Sequence, residues 1–154
     1  MEKFCTFIFT LLWVKLAVNG TSTPNPRKPI FTSTPDKSNL VLVGKNIKLE
    51  WNFKFRSASD IRRIVLFSYG LHKKAKTTIA SRVIKSGIFQ YNPYILERQK
   101  LFVCEISLKE GGIGKASISI LNVQFDHTYD YGISVKMTER HLAPAENVVS
   151  LKVV

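Results

Sequence analysis

From about residue 40 onward, apolar and polar residues alternate with a period of two along most of the chain. The alternation is clearest at residues 47–53, 101–108 and 129–135, and this period places apolar side chains on one face of a β-strand. Denser apolar or β-branched runs at 64–67 and 77–83 suit further strands. Glycine and polar clusters separate these runs, and no 3.6-residue period is sustained. The pattern predicts seven or more strands in an all-β antiparallel sandwich or barrel.

The first 38 residues have a different pattern. An apolar run at residues 4–14 follows a positively charged start, ends at Lys15, and is followed by small residues up to Gly20. This order is typical of a secretory signal peptide, so we predict cleavage after Gly20; a buried first helix or a signal anchor is the alternative. Four of the six prolines then fall in residues 21–38, which predicts an extended Pro/Ser/Thr-rich leader containing at most a short edge strand at Ile30 and Phe31. The folded domain is expected to span residues 39–154.

Cleavage at this point would leave Cys104 as the sole cysteine, so the exported chain could form no internal disulfide. Phe102, Cys104 and Ile106 share one face of a predicted strand. We therefore expect Cys104 to be a small apolar core residue, with an intermolecular bridge or a reactive thiol as the alternative.

Two motifs resemble those of the immunoglobulin superfamily. Gly44, followed by alternating apolar residues that end at Trp51, resembles the turn and strand B of such a domain. Residues 118–123 and 126–131 resemble strand E, the E–F corner and strand F. The resemblance implies a variable-type β-sandwich, and the pattern is similar to the disulfide-free variable-type domains of some invertebrate cell-surface recognition and adhesion receptors.

The resemblance also implies roles for particular residues. Tyr129 would stand at the tyrosine corner, and Trp51 and Tyr131 would occupy the two positions that usually hold the inter-sheet disulfide. Burial of one aromatic ring, at ~25 cal/mol per Å² over ~150–250 Å², is comparable with the ~4.5 kcal/mol that a disulfide closing such a long loop provides. We expect Trp51 and Tyr131 to meet in a core that also contains Leu49, Leu66 and Tyr129.

The chain assembles no recognised catalytic or metal-binding motif. Residues 111–116 resemble a phosphate-binding loop only superficially, since Lys109 and Ala116 replace its required end residues, and a turn between strands is expected there. The three histidines share no metal-ligand spacing. His127 follows Asp126, but no nucleophile motif accompanies the pair, and we expect His127 to be an exposed corner residue. Neither an enzyme, nor a metal, nor a cofactor is expected.

The formal net charge of the 154-residue chain is +12, and it is unevenly distributed. Residues 54–100 contain eleven basic and two acidic side chains. By the resemblance, this segment forms strand C and the C′ edge, which variable-type domains commonly use for partner contact. The candidate partner-binding residues are Arg62, Arg63, Lys73, Lys74 and Lys76. The alternative is a solvated surface that keeps the protein soluble.

These features together predict an extracellular recognition or adhesion module that binds a protein partner, itself included, through the basic edge or through loops at residues 54–60 and 138–147. The alternative is a secreted basic domain that binds polyanions such as sulfated glycans. Nucleic acid is not an expected partner, because export and the missing recognition motifs argue against it. The sequence leaves open whether the chain is secreted whole or is the ectodomain of a longer membrane receptor.

Overall fold

The computed structural model describes residues 26–72, 75–98 and 101–154. These residues form ten β-strands, one short α-helix and two 3-10 turns. The strands are β1 (Ile30–Ser33), β2 (Ser38–Val41), β3 (Ile47–Lys54), β4 (Ile61–His72), β5 (Ala75–Val83), β6 (Phe89–Tyr91), β7 (Phe102–Leu108), β8 (Ile113–Ile120), β9 (Asp130–Met137) and β10 (Ala145–Val153). Helix α1 is Pro93–Arg98, and the 3-10 turns are Ala58–Asp60 and Phe125–His127. No helix among the described residues has the length and apolar character needed to cross a bilayer.

The strands form two sheets that pack face to face. The smaller sheet has the order β1-β3-β8-β7, and the larger has the order β2-β10-β9-β4-β5-β6. All pairings are antiparallel except that of β2 with β10. In immunoglobulin lettering these orders are A-B-E-D and A′-G-F-C-C′-C″, which is the variable-type arrangement with the two extra strands beside strand C. The predicted all-β variable-type sandwich is confirmed.

The sandwich begins earlier than the boundary at residue 39 that the sequence predicted. Strand β1 pairs with β3, and Phe31 packs edge-on against Phe53 at 6.3 Å between ring centroids, so part of the expected leader belongs to the domain. Pro29 and Pro35 lie just before β1 and between β1 and β2, where no ladder N–H is required, and both strands are at sheet edges. The predicted signal peptide at residues 1–20 and the leader up to residue 25 lie outside the described residues.

The core lies between the two sheets and has no exposed surface at its centre. Leu49, Trp51, Leu66 and Tyr131 are each 0 % exposed, whereas Tyr129 is half-buried and packs against the edge of this cluster. The alternating pattern of the sequence therefore corresponds to side chains that point between the sheets.

The tyrosine corner is formed by Tyr131 and not, as the sequence suggested, by Tyr129. The Tyr131 hydroxyl donates a hydrogen bond of 3.0 Å to the backbone carbonyl of His127, four residues upstream. Because the corner tyrosine stands two residues before the second cysteine position, that position is Ile133 rather than Tyr131. A shift of two residues leaves the alternation unchanged, so the hydrophobic pattern could not distinguish the two registers.

Trp51 connects the two sheets at the level of Ile133. Its indole Nε1 donates a 2.8 Å hydrogen bond to Asn147 Oδ1 on β10, and Asn147 lies opposite Ile133 on β9. Tyr131 packs instead against Phe102, at 6.1 Å between ring centroids. Trp51 and Tyr131 therefore lie in the same buried cluster, and the side-chain link between the sheets at Trp51 is its hydrogen bond to Asn147.

His127 is buried, which corrects the expectation of an exposed corner residue. It is only 2 % exposed, because the 3-10 turn Phe125–His127 directs the ring towards Phe102, 5.9 Å away between ring centroids. Its Nδ1 accepts a 2.8 Å hydrogen bond from the backbone N–H of Gln124. Burial lowers the pKa of His127, and the nearby Asp126 carboxylate only partly opposes this effect.

Cys104 lies in the core as a free thiol. Burial raises its pKa to about 12, so the thiolate is essentially absent at neutral pH. The backbone of Cys104 is fixed by the hydroxyl of Tyr91, which accepts from its N–H at 2.9 Å. This environment fits the interpretation of a small core residue and does not fit a reactive thiol.

Candidate functional site

The surface that merits a functional interpretation is the solvent-facing side of the larger sheet, which we call the outer face. Alternate residues of a strand point to opposite sides of its sheet, and the strand register aligns the outward side chains in rows. Arg63 lies opposite Lys136, and Phe67 lies opposite Gly132. The outward set is Arg63, Val65, Phe67 and Tyr69 on β4, Lys76, Thr78, Ser81 and Val83 on β5, Gln90 on β6, Asp130, Gly132, Ser134 and Lys136 on β9, and Glu146, Val148, Ser150 and Lys152 on β10.

The structure places two of the five candidate partner-binding residues on the outer face. Arg63 and Lys76 both point outward, but they lie at opposite ends of the β4–β5 pairing, about 20 Å apart along the strand direction. Arg62 is exposed and is the extra residue of a bulge between β4 and β9. Lys73 and Lys74 lie outside the described residues. Arg63 and Lys76 therefore belong to one surface without forming one cluster.

The centre of the outer face is flat because an aromatic ring is covered there. Phe67 points outward yet is 0 % exposed. Lys76 Nζ lies 4.0 Å above its ring centroid, and the Tyr69 ring meets it edge-on at 5.5 Å. Gly132 makes this packing possible, because a Cβ at that position would lie 2.6 Å from Phe67 Cζ. The result is a smooth central surface with no side chain projecting from β9 at Gly132.

Lys76 also forms an ion pair across this central surface. Its Nζ lies 2.5 Å from Glu146 Oε1, so the side chain runs from β5 over β4 towards β10. Partial burial acts to raise the pKa of Glu146, but the hydrogen bond from Lys76 and the charges of Lys76 and Lys136 outweigh it and lower the pKa. Glu146 is therefore ionised at neutral pH, and its charge is already matched by Lys76.

One end of the outer face contains two basic residues that form no salt bridge among the described residues. Arg63 and Lys136 occupy directly opposed positions on β4 and β9, an arrangement of like charges that is unfavourable in a sheet. Among the described residues, neither of the two side chains forms a salt bridge. This end of the outer face consequently favours an external negative charge.

The opposite surface of the sandwich contains a network of ion pairs. On the smaller sheet, Lys48 lies 3.4 Å from both Glu50 and Glu105, and Lys115 lies 3.0 Å from Glu50. The hydrogen bonds from Lys115 and Lys48 lower the pKa of Glu50, so both carboxylate and ammonium groups are charged. Lys54 is a further cation of this surface, so the network of ion pairs, and not the absence of excess positive charge, distinguishes the smaller sheet from the outer face.

The two predicted contact loops do lie together at one end of the sandwich. Thr138 Oγ1 donates to the carbonyl of Ser59 at 3.0 Å, and Arg56 lies 3.4 Å from Glu139 and 3.4 Å from Asp60. The ends of the predicted segments, at Lys54 and at residues 145–147, belong to β3 and β10 instead. Because Arg56 is paired with Glu139 and Asp60, these loops should attract a charged partner less strongly than the outer face does.

Sequence reasoning missed Lys136, Glu146 and Gly132 as parts of this surface. The alternation at residues 129–135 did contain a signal, since it places Gly132, Ser134 and Lys136 on the side opposite the core. However, only the pairing of β9 with β4 brings Lys136 next to Arg63. Cross-strand neighbours far apart in sequence cannot be deduced from a period-two pattern alone.

Within the described ranges, no group of three or more His, Cys, Asp or Glu side chains could hold a metal ion. No family model and no curated protein matches this sequence. Solved structures do match: murine CRIg has 16 % identity and a TM-score of 0.57, covering 82 % of this chain and 98 % of that one. A chain from a structure on T cell specificity and activation by the bacterial superantigen toxic shock syndrome toxin-1 has 12 % identity and a TM-score of 0.57, covering 82 % and 99 %. These similarities show the fold, an immunoglobulin-like sandwich of variable type.

Proposed function

We propose that this chain is an extracellular recognition module that binds an acidic surface of a protein partner through the outer face of its larger sheet. The observation that carries the proposal is the opposed pair Arg63 and Lys136, neither of which forms a salt bridge among the described residues, beside the flat surface over Phe67. A partner carboxylate placed near this pair would relieve the repulsion and would also raise the rate of association.

A protein partner is supported by the mixture of apolar and charged groups on this surface. Tyr69 and Val148 are 37 % and 40 % exposed, and both lie beside the central Phe67–Gly132 row. Protein interfaces typically combine an apolar centre containing aromatic residues with a polar rim. Six strands spaced about 4.8 Å apart also give a width of about 24 Å, comparable with one side of a standard interface.

Charge favours a heterologous partner over a second copy of this chain. Two copies that met through their outer faces around a two-fold axis would each bring Arg63 and Lys136 into the shared interface. Of the outer-face carboxylates among the described residues, Glu146 is already paired with Lys76, and Asp130 lies at the opposite end of the face beside Tyr69. Heterophilic recognition is therefore the proposed mode, and homophilic adhesion through this face is disfavoured.

Export of the chain is a part of the proposal that rests on the sequence. Residues 1–20 have the charged, apolar and small-residue order of a signal peptide, and receptor-like domains of this fold function outside the cell. The competing function is binding of sulfated glycans or other polyanions, which the excess of nine positive charges in residues 54–100 would support.

A tetramerised form of the protein, tested for binding to cells of the source organism, separates these two functions. The informative variant is Lys136→Glu, and its matched control is Lys54→Glu, an exposed lysine of β3 in the smaller sheet. We expect saturable binding that Lys136→Glu reduces at least tenfold, that Lys54→Glu leaves unchanged, and that protease treatment of the cells abolishes. Binding that heparinase removes, with equal loss in both variants, would contradict the proposal and favour the polyanion function.

A further inference from the structure

An open pocket of about 440 Å³ lies at the edge of the outer face, over the strands β4, β5 and β6. Its lining is polar apart from one proline and one tyrosine. The lining residues are Arg63, Thr78, Ser81, Gln90, Tyr91, Asn92 and Pro93. Arg63 is the sole charged residue among them, so the pocket has one formal positive charge.

The guanidinium of Arg63 is held in place but is only partly hydrogen-bonded. Its Nη2 donates to Ser81 Oγ at 2.7 Å, and Ser81 is 1 % exposed, so the anchor is rigid. Its Nε is buried and has no hydrogen-bond partner among the described residues. An arginine offers five N–H donors in a planar fork, and a buried donor without an acceptor is costly. Nε itself is closed to an entering group, so the donors that remain for a ligand in the pocket are those of the terminal Nη1 and Nη2 groups.

Ser81 provides a second donor at the same point. Its oxygen accepts from Arg63, which leaves its own O–H free to donate to a further acceptor. Gln90 lies in register with Ser81 on the neighbouring strand β6 and is exposed, so its amide can reach the same space. The pocket thus combines one fixed positive charge with neutral donors on both sides.

We infer that this pocket binds the carboxylate of an aspartate or glutamate side chain of the partner protein, with Arg63 as the residue that recognises it. The inference rests on the proposed function, and it names the anchoring contact within that interface. A carboxylate can accept two parallel hydrogen bonds from the terminal Nη1 and Nη2 groups of a guanidinium. The Ser81 hydroxyl and the Gln90 amide would fix the orientation of the entering group.

A single carboxylate fits this pocket better than a sulfated polymer. Polyanion binding draws on several cations near one another, whereas the Arg63 pocket contains one, and Lys76 is engaged by Glu146. The planar, monoanionic carboxylate matches the charge and shape of the guanidinium fork. The ligand of this pocket is therefore an acidic side chain of a protein.

The test is an NMR titration of the ¹⁵N-labelled protein that monitors the Arg63 Nε–H signal, the backbone amide of Ser81 and the side-chain amide of Gln90. Three probes are compared: N-acetyl-glutamate methylamide, the neutral isostere N-acetyl-glutamine methylamide, and inorganic sulfate. We expect a saturable shift with the glutamate compound, with a dissociation constant of roughly 1 to 10 mM, and at least tenfold weaker responses to the other two. Arg63→Gln should abolish the response at Ser81 and Gln90, and Arg63→Lys should weaken it several-fold because the fork is lost while the charge remains.

Two results would overturn the inference. One is an equal response to the glutamate and glutamine compounds, or a response that survives in both Arg63 variants. The other is tighter binding of sulfate than of the glutamate compound. Because the cell-binding test of the proposed function uses Lys136 and not Arg63, either proposal can fail while the other stands.

Discussion

The hydrogen bond from Trp51 to Asn147 replaces a covalent link between the sheets, and removing it should cost measurable stability. The substitution Trp51→Phe keeps an aromatic ring in the core but removes the indole N–H that bonds Asn147 Oδ1 at 2.8 Å. The net loss of a hydrogen bond is about 1 kcal/mol. The smaller ring leaves a partly unfilled space at a site that is 0 % exposed, which adds about 1 kcal/mol. We expect the free energy of unfolding to fall by about 2 kcal/mol.

A double-mutant cycle separates these two contributions. Asn147→Ala alone removes the acceptor from a half-buried position, and the double variant removes both partners. Urea unfolding followed by far-UV circular dichroism gives each free energy, since Trp51 fluorescence is lost in two of the variants. We expect a coupling energy of about 1 kcal/mol between the two positions. A coupling energy within about 0.3 kcal/mol of zero would show that the bond does not hold the sheets together.

Three further predictions follow from buried groups. Cys104, with its pKa raised to about 12, should react with a thiol reagent only as fast as the protein opens. The reaction rate is measured in the Cys5→Ser variant, so that Cys104 is the cysteine that reacts. Reaction at the rate of a free cysteine would contradict the burial of Cys104. His127, whose pKa is lowered by burial, is protonated more readily in the unfolded chain. Its contribution to the free energy of unfolding should therefore be constant above about pH 7 and be lost as the pH drops below about 6.5; a pH slope in that range that His127→Gln leaves unchanged would refute this. Gly132→Ala should lower the free energy of unfolding by about 1–3 kcal/mol, because its Cβ would lie 2.6 Å from Phe67 Cζ. The control Gly111→Ala, at a position with open space around it, should change the free energy of unfolding by less than about 0.5 kcal/mol. Equal effects of the two substitutions would refute the packing of Phe67 against Gly132.

The strands of the sandwich could be predicted from the sequence because their signal is local. Alternation at residues 47–53 and 129–135 directly reports which side chains face the core. The same periodicity could not set the register of strand F, since Tyr129, Tyr131 and Ile133 all fit the pattern equally well. The correct choice depends on the bond from Tyr131 to the carbonyl of His127, a contact that forms only once the turn at residues 125–127 has folded.

The candidate site was predicted only in part, and for a related reason. The basic excess in residues 54–100 drew attention to Arg63 and Lys76, which the structure places on one face of the larger sheet. What distinguishes them is the neighbour of each: Arg63 lies opposite Lys136, whereas Lys76 is paired with Glu146. These partners come from β9 and β10, about 70 residues further along the chain in each case, and composition carries no information on such long-range pairings.

The most direct test of the proposed recognition face compares charge-introducing substitutions at two exposed valines on opposite sides of the sandwich. Val148 on β10 and Val103 on β7 are 40 % and 44 % exposed, and each points outward from its own sheet. Tetramers that carry Val148→Glu or Val103→Glu are applied to the same cells, with folding of each variant checked by its unfolding transition. We predict that Val148→Glu abolishes binding and that Val103→Glu retains it; retained binding by Val148→Glu, or loss with Val103→Glu alone, would contradict recognition through the larger sheet.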